Sequence, residues 1–180
     1  ILFYRLGDFY EMFFDDALTA SKVLEITLTG RDCGQPERAP MCGVPYHACD
    51  VYLNKLIENG FKVAICEQVE DPKLAKGIVK REVIRVVTPG TNMSNAILDE
   101  TRNNYLMSIF ENDGAFGISL VDITTGEFKT ARVPSLSKLT DEINKYSPAE
   151  IIGNHSFMNC DLDFVYLREK MKISISEAPE

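Results

Sequence analysis

A polar stretch near the middle of the chain, TPGTNMSNAILDE at 88–100, interrupts two longer series of strand and helix patterns. It carries the turn signal Pro89-Gly90, which ends regular structure. A chain of 180 residues can form one large domain or two small ones, and 45% hydrophobic residues is enough for folded cores. The interruption therefore predicts a first domain at 1–90, a linker at 91–102 and a second domain at 103–180.

Hydrophobic patterns in the first domain predict a mixed α/β fold. Alternating and continuous apolar runs predict strands at 2–5, 9–13, 26–32, 61–69 and 79–87. One helix is expected to have Asp15 or Asp16 as its cap. Another is expected after Pro45, with an apolar stripe and with Gly60 just beyond its end, and Asp71-Pro72 predicts a turn.

The second domain shows a different order of patterns. Three strands joined by short turns are predicted at 103–110, 114–123 and 127–133. A helix capped by Ser135 and stopped by Pro148 follows, then a buried strand at 150–154 and a helical segment at 162–172. Three strands followed by helix, strand and helix predict a second α/β domain.

Composition excludes several classes of protein. No run approaches 18 apolar residues, so no membrane-spanning helix is predicted. The start, ILFYRLGDFY, lacks a methionine, a basic region and a cleavage site, which predicts a piece of a longer protein without a signal peptide. Five cysteines without CxxC spacing predict a cytoplasmic protein without a disulfide framework. Cys42, His47 and Cys49 are close enough in sequence to bind a metal, but burial as small side chains is favoured because the spacing matches no zinc motif.

The net charge of −8 at first argues against a nucleic-acid ligand, because phosphate binding usually needs a basic surface. The charge is unevenly distributed, however. Residues 1–91 hold 11 Lys+Arg against 13 Asp+Glu, whereas residues 92–180 hold 8 against 14. The first domain is therefore nearly neutral, and most of the acidic excess lies in the second.

The sequence contains no familiar catalytic motif. GxxxxGK[ST], GxSxG and HExxH are all absent. Asp122, in the hydrophobic stretch ISLVDI, could hold a divalent metal in a nuclease, but two-metal hydrolysis needs several converging carboxylates. Glu127, Asp141 and Asp163 fall into no recognisable spacing, so a structural role for Asp122 at the end of a strand is favoured. We therefore expect no enzymatic activity from this chain.

Two groups of basic residues could position phosphates. Arg31 and Arg38 flank a loop, and Lys80, Arg81 and Arg85 alternate with apolar residues on a predicted strand. Basic side chains of this kind usually fix the register of a protein on DNA without reading its sequence. A solvated sheet face explains the second group equally well.

Residues 7–16, GDFYEMFFDD, place four aromatic residues among four carboxylates. Side chains alternate between the faces of a strand, which gives one set of Phe9, Glu11 and Phe13 and another of Tyr10, Met12 and Phe14. The second set predicts a core face. In the first set, either Glu11 is paired inside or Phe9 and Glu11 face outward together, because an unpaired buried carboxylate is costly. Most phenylalanines belong to cores, but an exposed ring beside an acceptor has the parts of a wedge that enters a base step.

The aromatic stretch is the first of a series of motifs that resembles a known family. GDFYEMFFDDA is followed in order by LTGRD, APMCGVPYHA, VAICEQVEDP and RVVTPGT. This series resembles the amino-terminal part of the MutS family, the bacterial proteins that recognise DNA mismatches. VDITTGEF is similar to a motif of that family's connector domain, so the resemblance covers both predicted domains. It implies a ribonuclease H-like second domain without catalytic use.

The resemblance also implies a function for individual residues. The family's Phe-x-Glu motif falls on Phe9 and Glu11. This implies that Phe9 enters from the minor groove and stacks on a mispaired or unpaired base, that Glu11 hydrogen-bonds that base, and that Arg31 lies near the DNA backbone. The implied partners are mismatched double-stranded DNA, a second subunit bound through domains outside this chain, and the repair protein MutL at the connector. ATP and Mg²⁺ are implied only for a separate ATPase domain, and no cofactor is expected here.

Two other functions stay open on the sequence alone. A metal-dependent, ribonuclease H-like nuclease would depend on Asp122. A protein-interaction module would depend on the acidic second domain.

Overall fold

The computed structural model describes residues 1–70, 77–93 and 103–179. The chain divides into two compact units, Ile1–Thr88 and Pro89–Glu180. The predicted turn at Asp71-Pro72 and residues 94–102 of the predicted linker lie outside the described residues. Each unit combines helices with a mixed sheet, which confirms the α/β class.

The described part of the first unit contains six strands and two α-helices. In chain order these are β1 (Leu2–Leu6), β2 (Phe9–Phe13), α1 (Phe14–Leu24), β3 (Thr29–Arg31), β4 (Ala39–Pro45), α2 (Cys49–Glu58), β5 (Val63–Gln68) and β6 (Arg81–Val87). A short 3-10 turn, Tyr46–Ala48, connects β4 to α2.

The strands of the first unit lie side by side in the order β3-β4-β2-β1-β5-β6. β1 is antiparallel to β2 and parallel to β5, and the other neighbours are antiparallel. Side chains from the sheet and from both helices share one core, which includes Phe3, Tyr10, Met12, Leu24, Cys42, Leu53, Leu56 and Val63. The helices thus bury one face of β2, on which Tyr10 and Met12 lie.

The start of α1 differs from the prediction in two ways. Its N-cap is Phe13, which makes no side-chain capping bond, so neither Asp15 nor Asp16 is the cap. Both carboxylates lie in the first turn, where they interact favourably with the helix dipole. Phe14 was expected in the core but is 62% exposed, with a φ of +53°. Alternation stops at Phe13 because the strand ends there, so Phe14 does not reach the core face.

Strand β4 was not predicted, and the predicted strand at 26–32 shrinks to the three residues of β3. Pro40, Gly43 and Pro45 made this segment look like loop and turn. The sequence pattern could not show that β4 pairs on both sides, with β2 and with β3. The predicted helix after the loop is confirmed as α2, with Leu53, Leu56 and Ile57 buried.

The second unit is a five-stranded sheet with helices. Its elements are β7 (Tyr105–Asn112), β8 (Ala115–Asp122), β9 (Glu127–Val133), α3 (Leu136–Tyr146), β10 (Glu150–Gly153), α4 (His155–Met158), α5 (Phe164–Glu169) and β11 (Ser174–Glu177). The strand order is β11-β10-β7-β8-β9. The first three strands are antiparallel, and β10 is parallel to β7 and β11. This arrangement is compatible with the ribonuclease H-like fold that the resemblance implies.

The three predicted strands and the first predicted helix of the second unit are confirmed. The side chain of Ser135 accepts a hydrogen bond from the Lys138 amide at the start of α3. The helical segment predicted at 162–172 is shorter, since only Phe164–Glu169 is α-helical, and both α4 and β11 were missed. Both missed elements have four residues, too few to show a period. Among the described residues, no helix combines the length and apolar character needed to cross a bilayer.

Candidate nucleic-acid interface

A tight turn between two neighbouring strands places Phe9 at the end of the first sheet. Gly7 and Asp8 join β1 to β2, and Gly7 has a φ of +57°, a conformation that favours glycine. Phe9 lies opposite Leu6 on one side and Pro45 on the other. Its side chain belongs to the face of β2 away from Tyr10 and Met12, and the residue is 47% exposed. The predicted alternation of faces is therefore confirmed for Phe9, Tyr10 and Met12.

Glu11 lies on the same face of β2 as Phe9 and is paired with Arg31. The Nη1 atom of Arg31 lies 2.5 Å from Oε2 of Glu11. The Glu11 side chain is 17% exposed, whereas that of Arg31 is 48% exposed. The guanidinium also lies 6.0 Å from the ring centroid of Phe13. The sequence left two arrangements open, a paired Glu11 or an outward-facing Phe9. The structure combines them, because Phe9 is exposed to solvent and Glu11 is paired with Arg31.

On the opposite face of β2, Tyr10 contacts a different set of polar groups. The hydroxyl of Tyr10 donates a hydrogen bond to Glu67 of β5. Burial, followed by the interaction with Glu67, raises the pKa of Tyr10 well above its ordinary value, so the phenol stays protonated. The Arg5 guanidinium approaches the same carboxylate, with Nη1 3.5 Å from Oε1. Sequence reasoning did not single out Arg5, because its partner Glu67 lies 62 residues further along the chain.

The remaining basic candidates are not gathered beside Phe9 by any contact among the described residues. Lys80 forms an ion pair with Glu82. Arg81 donates hydrogen bonds to the carbonyl oxygens of Arg5 and Val79. Arg81 is therefore engaged with the backbone of its own unit. In the part of the chain that the structure describes, the predicted basic residue seen in contact with the Phe-x-Glu motif is Arg31, through Glu11.

The cysteine and histidine residues do not form a metal site in the described part of the chain. Cys42 is completely buried, and its thiol contacts the carbonyl oxygen of Ala17. Burial raises the pKa of Cys42 to about 11, which keeps the thiol protonated and unsuited to metal binding. Burial likewise raises the pKa of Cys49.

Asp122, the candidate nuclease residue, is fully buried, and both its oxygens accept hydrogen bonds. Oδ1 accepts from the amide and hydroxyl of Thr124 at 2.8 and 2.6 Å, and Oδ2 accepts from the Asn104 amide at 3.1 Å. Burial alone raises the pKa of Asp122, but these hydrogen bonds outweigh it and lower the pKa below its ordinary value. Asp122 therefore organises the turn after β8.

The carboxylates that a nuclease would need beside Asp122 have other partners. Glu127 interacts with the Tyr105 hydroxyl and with Lys129. Asp141 pairs with Lys138 in α3, and Asp163 accepts from the Tyr166 amide at the start of α5. Among the described residues, the metal-dependent nuclease therefore has no converging set of ligands.

Comparison with known proteins follows the division of the chain. The family model for MutS domain I matches residues 1–96, and the model for MutS domain II matches residues 104–174. Two successive matches of this kind define the class of protein that carries MutS domains I and II. This chain belongs to the MutS family.

Individual relatives agree with the family match over almost the whole chain. The DNA mismatch repair protein MutS of Lachnoclostridium phytofermentans is 65% identical over 98% of this chain, which covers 19% of that protein. The corresponding protein of Acetivibrio thermocellus is 58% identical over 98% of this chain and 21% of its own length. That of Clostridium tetani is 52% identical over 98% of this chain and 20% of its own length. The chain therefore spans about a fifth of the length of these relatives.

Proposed function

We propose that this chain is the mismatch-reading part of a MutS-type protein, in which Phe9 enters the minor groove and stacks on a mispaired or unpaired base. The observation that carries the proposal is the exposed Phe9 ring at a tight turn, on the same face as Glu11. Tyr10 and Met12 on the other face fill the core, so Phe9 is not needed there. A ring that solvent reaches, mounted on a paired strand, is suited to entering a base step.

A wedge suits a ligand that has no fixed sequence. A protein that reads base edges would miss most mismatches, whereas a probe of stacking and deformability responds wherever the helix is weak. Unstacking a base step costs a few kcal/mol, and the cost is lower where pairing is already defective. This difference in cost is the discrimination that we assign to Phe9.

In this proposal, Glu11 is the acceptor for the mispaired base and Arg31 is its partner in the free protein. Arg31 is half-exposed, so a DNA phosphate can compete for its guanidinium and leave the carboxylate free to accept from a base. A well-paired duplex moves no base towards Glu11, and its phosphates repel the carboxylate. The pair therefore favours release of well-paired DNA.

Affinity for DNA is proposed to come mainly from other parts of a longer protein. Residues 1–91 are nearly neutral, with 11 basic against 13 acidic residues, and a basic surface would bind every sequence alike. We predict that the isolated chain binds a mismatched duplex more weakly than micromolar at physiological salt and hydrolyses no ATP. Sub-micromolar affinity in a fluorescence anisotropy titration would contradict this division of roles.

We also propose the other properties that membership of the family implies. They are a cytoplasmic location, dimerisation through domains outside this chain, contact with MutL through the second unit, no cofactor in this chain, and ATP and Mg²⁺ in a separate ATPase domain. The second unit is also where a pure protein-interaction function would lie, since it holds most of the acidic excess.

The proposal is tested in a chimaera in which this chain replaces the 65%-identical segment of the Lachnoclostridium phytofermentans protein. Phe9→Ala should weaken binding to a mismatched duplex by roughly 1 to 3 kcal/mol, the value of one base–aromatic stack, and leave perfect-duplex affinity almost unchanged. Competition titrations with the two duplexes measure both values.

Phe14→Ala is the matched control for this experiment, because Phe14 is also exposed, lies in the same unit and does not adjoin the Gly7-Asp8 turn. It should keep full discrimination. If Phe9→Ala discriminates as well as the unmodified chimaera, the wedge is excluded and a protein-interaction function is favoured.

A further inference from the structure

The turn that carries Phe9 is held at both of its carbonyl groups. The Gly7 oxygen accepts a hydrogen bond from Nε of Arg5 at 2.6 Å. The Asp8 oxygen accepts one from the amide of Tyr46 at 2.9 Å. Because both carbonyl groups of this two-residue turn accept hydrogen bonds, the turn has little conformational freedom.

The Arg5 side chain is itself fixed by two further contacts. Its guanidinium carbon lies 3.7 Å from the ring centroid of Tyr46, which places the cation directly against the aromatic ring. Its Nη1 lies 3.5 Å from the Glu67 carboxylate, which also accepts from the hydroxyl of Tyr10. A planar guanidinium can meet a ring with its face while its N–H groups meet oxygen atoms, and the compact ammonium of lysine cannot.

Exposure separates the roles of Arg5 and Arg31. The Arg5 side chain is 17% exposed, whereas that of Arg31 is 48% exposed. The contacts of Arg5 lie within the first unit, on a turn carbonyl, a ring and a carboxylate. This arrangement suits a residue that supports the turn, and it does not suit one that exchanges its partner for a DNA phosphate.

We infer that Arg5, Tyr46 and Glu67 are positioning residues that fix the Gly7-Asp8 turn and thereby the direction in which Phe9 points. The inference depends on the proposed role of Phe9. A wedge that is already ordered before binding loses less conformational freedom when it enters the base stack, so support beneath the turn strengthens discrimination. It also gives the GVPYHA and VAICEQV motifs a shared function, because Tyr46 and Glu67 come from them.

The first test needs no DNA and uses the whole 180-residue chain. Arg5→Met should accelerate hydrogen exchange of the Tyr46 amide, measured by NMR, by about tenfold or more, because the turn that holds this amide opens more often. Lys22→Met, which removes one charge from an exposed site in α1, should leave the rate unchanged.

Arg5→Lys separates positioning from simple charge neutralisation. Lysine restores a positive charge near Glu67 but not the planar contact with Tyr46, so its exchange rate should resemble that of Arg5→Met. If Arg5→Lys behaves like the unmodified chain, or if Arg5→Met exchanges at the unmodified rate, the inference is overturned. If Arg5→Met does not fold, Tyr46→Ala decides the question through exchange of the Phe9 amide, since Tyr46 is 43% exposed and contributes little to the core.

The second test measures discrimination in the chimaera. Arg5→Met and Tyr46→Ala should each reduce the ratio of mismatched to perfect-duplex affinity by about tenfold, whereas Tyr46→Phe, which keeps the ring, should retain it. Faster exchange with unchanged discrimination would also overturn the inference. Failure of the proposed function can be distinguished from this result. In that case Phe9→Ala, with Arg5 intact, would discriminate between the two duplexes as well as the unmodified chimaera.

Discussion

Strands β2 and β8 both bury one face and both carry a carboxylate next to a tight turn, yet the two carboxylates have opposite surroundings. Asp122 lies on the core face of β8, and its oxygens accept hydrogen bonds from Thr124 in the following turn and from Asn104, just before β7. Glu11 lies on the open face of β2, beside an exposed phenylalanine, and its partner is a half-exposed arginine twenty residues away. The carboxylate of β8 is thus enclosed by donors within its own unit, whereas the open face of β2 leaves the Phe9 ring and much of the Arg31 side chain exposed to solvent.

The core face of β2 should show the largest effect on stability. Met12 is completely buried, so Met12→Ala should lower the free energy of unfolding by about 2 to 5 kcal/mol through lost burial and a cavity. Urea unfolding followed by the amide resonances of the first unit measures this. A loss below about 1 kcal/mol would contradict the contrast between the two faces of β2, because neither face would then be important for folding.

The turn after β8 should show the next largest effect. Asp122→Ala leaves the amides of Thr124 and Asn104 without their acceptor, which should cost about 1 to 3 kcal/mol in the second unit. Because the pKa of Asp122 is lowered in the folded state, its stabilising contribution is present above the unfolded pKa of about 3.9 and is lost as the pH falls through the lower folded value.

The same Asp122→Ala protein should therefore lose part of the acid sensitivity of the second unit, as followed by unfolding between about pH 5 and pH 2. Unchanged stability at neutral pH would show that Asp122 is not structural and would restore interest in it as a ligand for a metal.

Sequence patterns predicted the core face of β2 and the helix α3 because a strand and a helix each impose a period on apolar residues. They failed at Phe14, where the strand ends and the period with it. They also failed at β4, because two prolines and a glycine are unusual in a strand that pairs on both sides, here with β2 and with β3. Periodicity shows which face a residue occupies, but it does not show which distant strand lies beside it.

As with the fold, only part of the candidate site could be predicted from the sequence. Alternation predicted that Phe9 and Glu11 share the face away from Tyr10 and Met12. The cost of burying a charge left two arrangements open, a paired Glu11 or an outward-facing Phe9 and Glu11. The contacts of Arg5 with Tyr46 and Glu67 join three separate segments, and no local pattern indicates them.

A smaller effect is expected from Glu11 on the open face. Glu11→Ala and Glu11→Gln should each raise the affinity of the chimaera for perfect duplex by up to about fivefold, because one repelled charge is worth about 1 kcal/mol or less near the surface. Discrimination should fall in both variants, less in Glu11→Gln, which keeps an acceptor. Titrations at several salt concentrations measure these changes, and an equal fall in affinity for both duplexes would assign Glu11 a structural role.

The smallest effect on folding is expected at Phe9, and it tests most directly the claim that β2 has one face for folding and one for binding. Phe9→Ala in the 180-residue chain should change the free energy of unfolding of the first unit by no more than about 0.5 kcal/mol, as for other surface substitutions. Urea unfolding of Phe9→Ala and Met12→Ala under identical conditions compares the contributions of the two faces to stability. A loss of about 3 to 5 kcal/mol would show that Phe9 belongs to the core and would contradict the account.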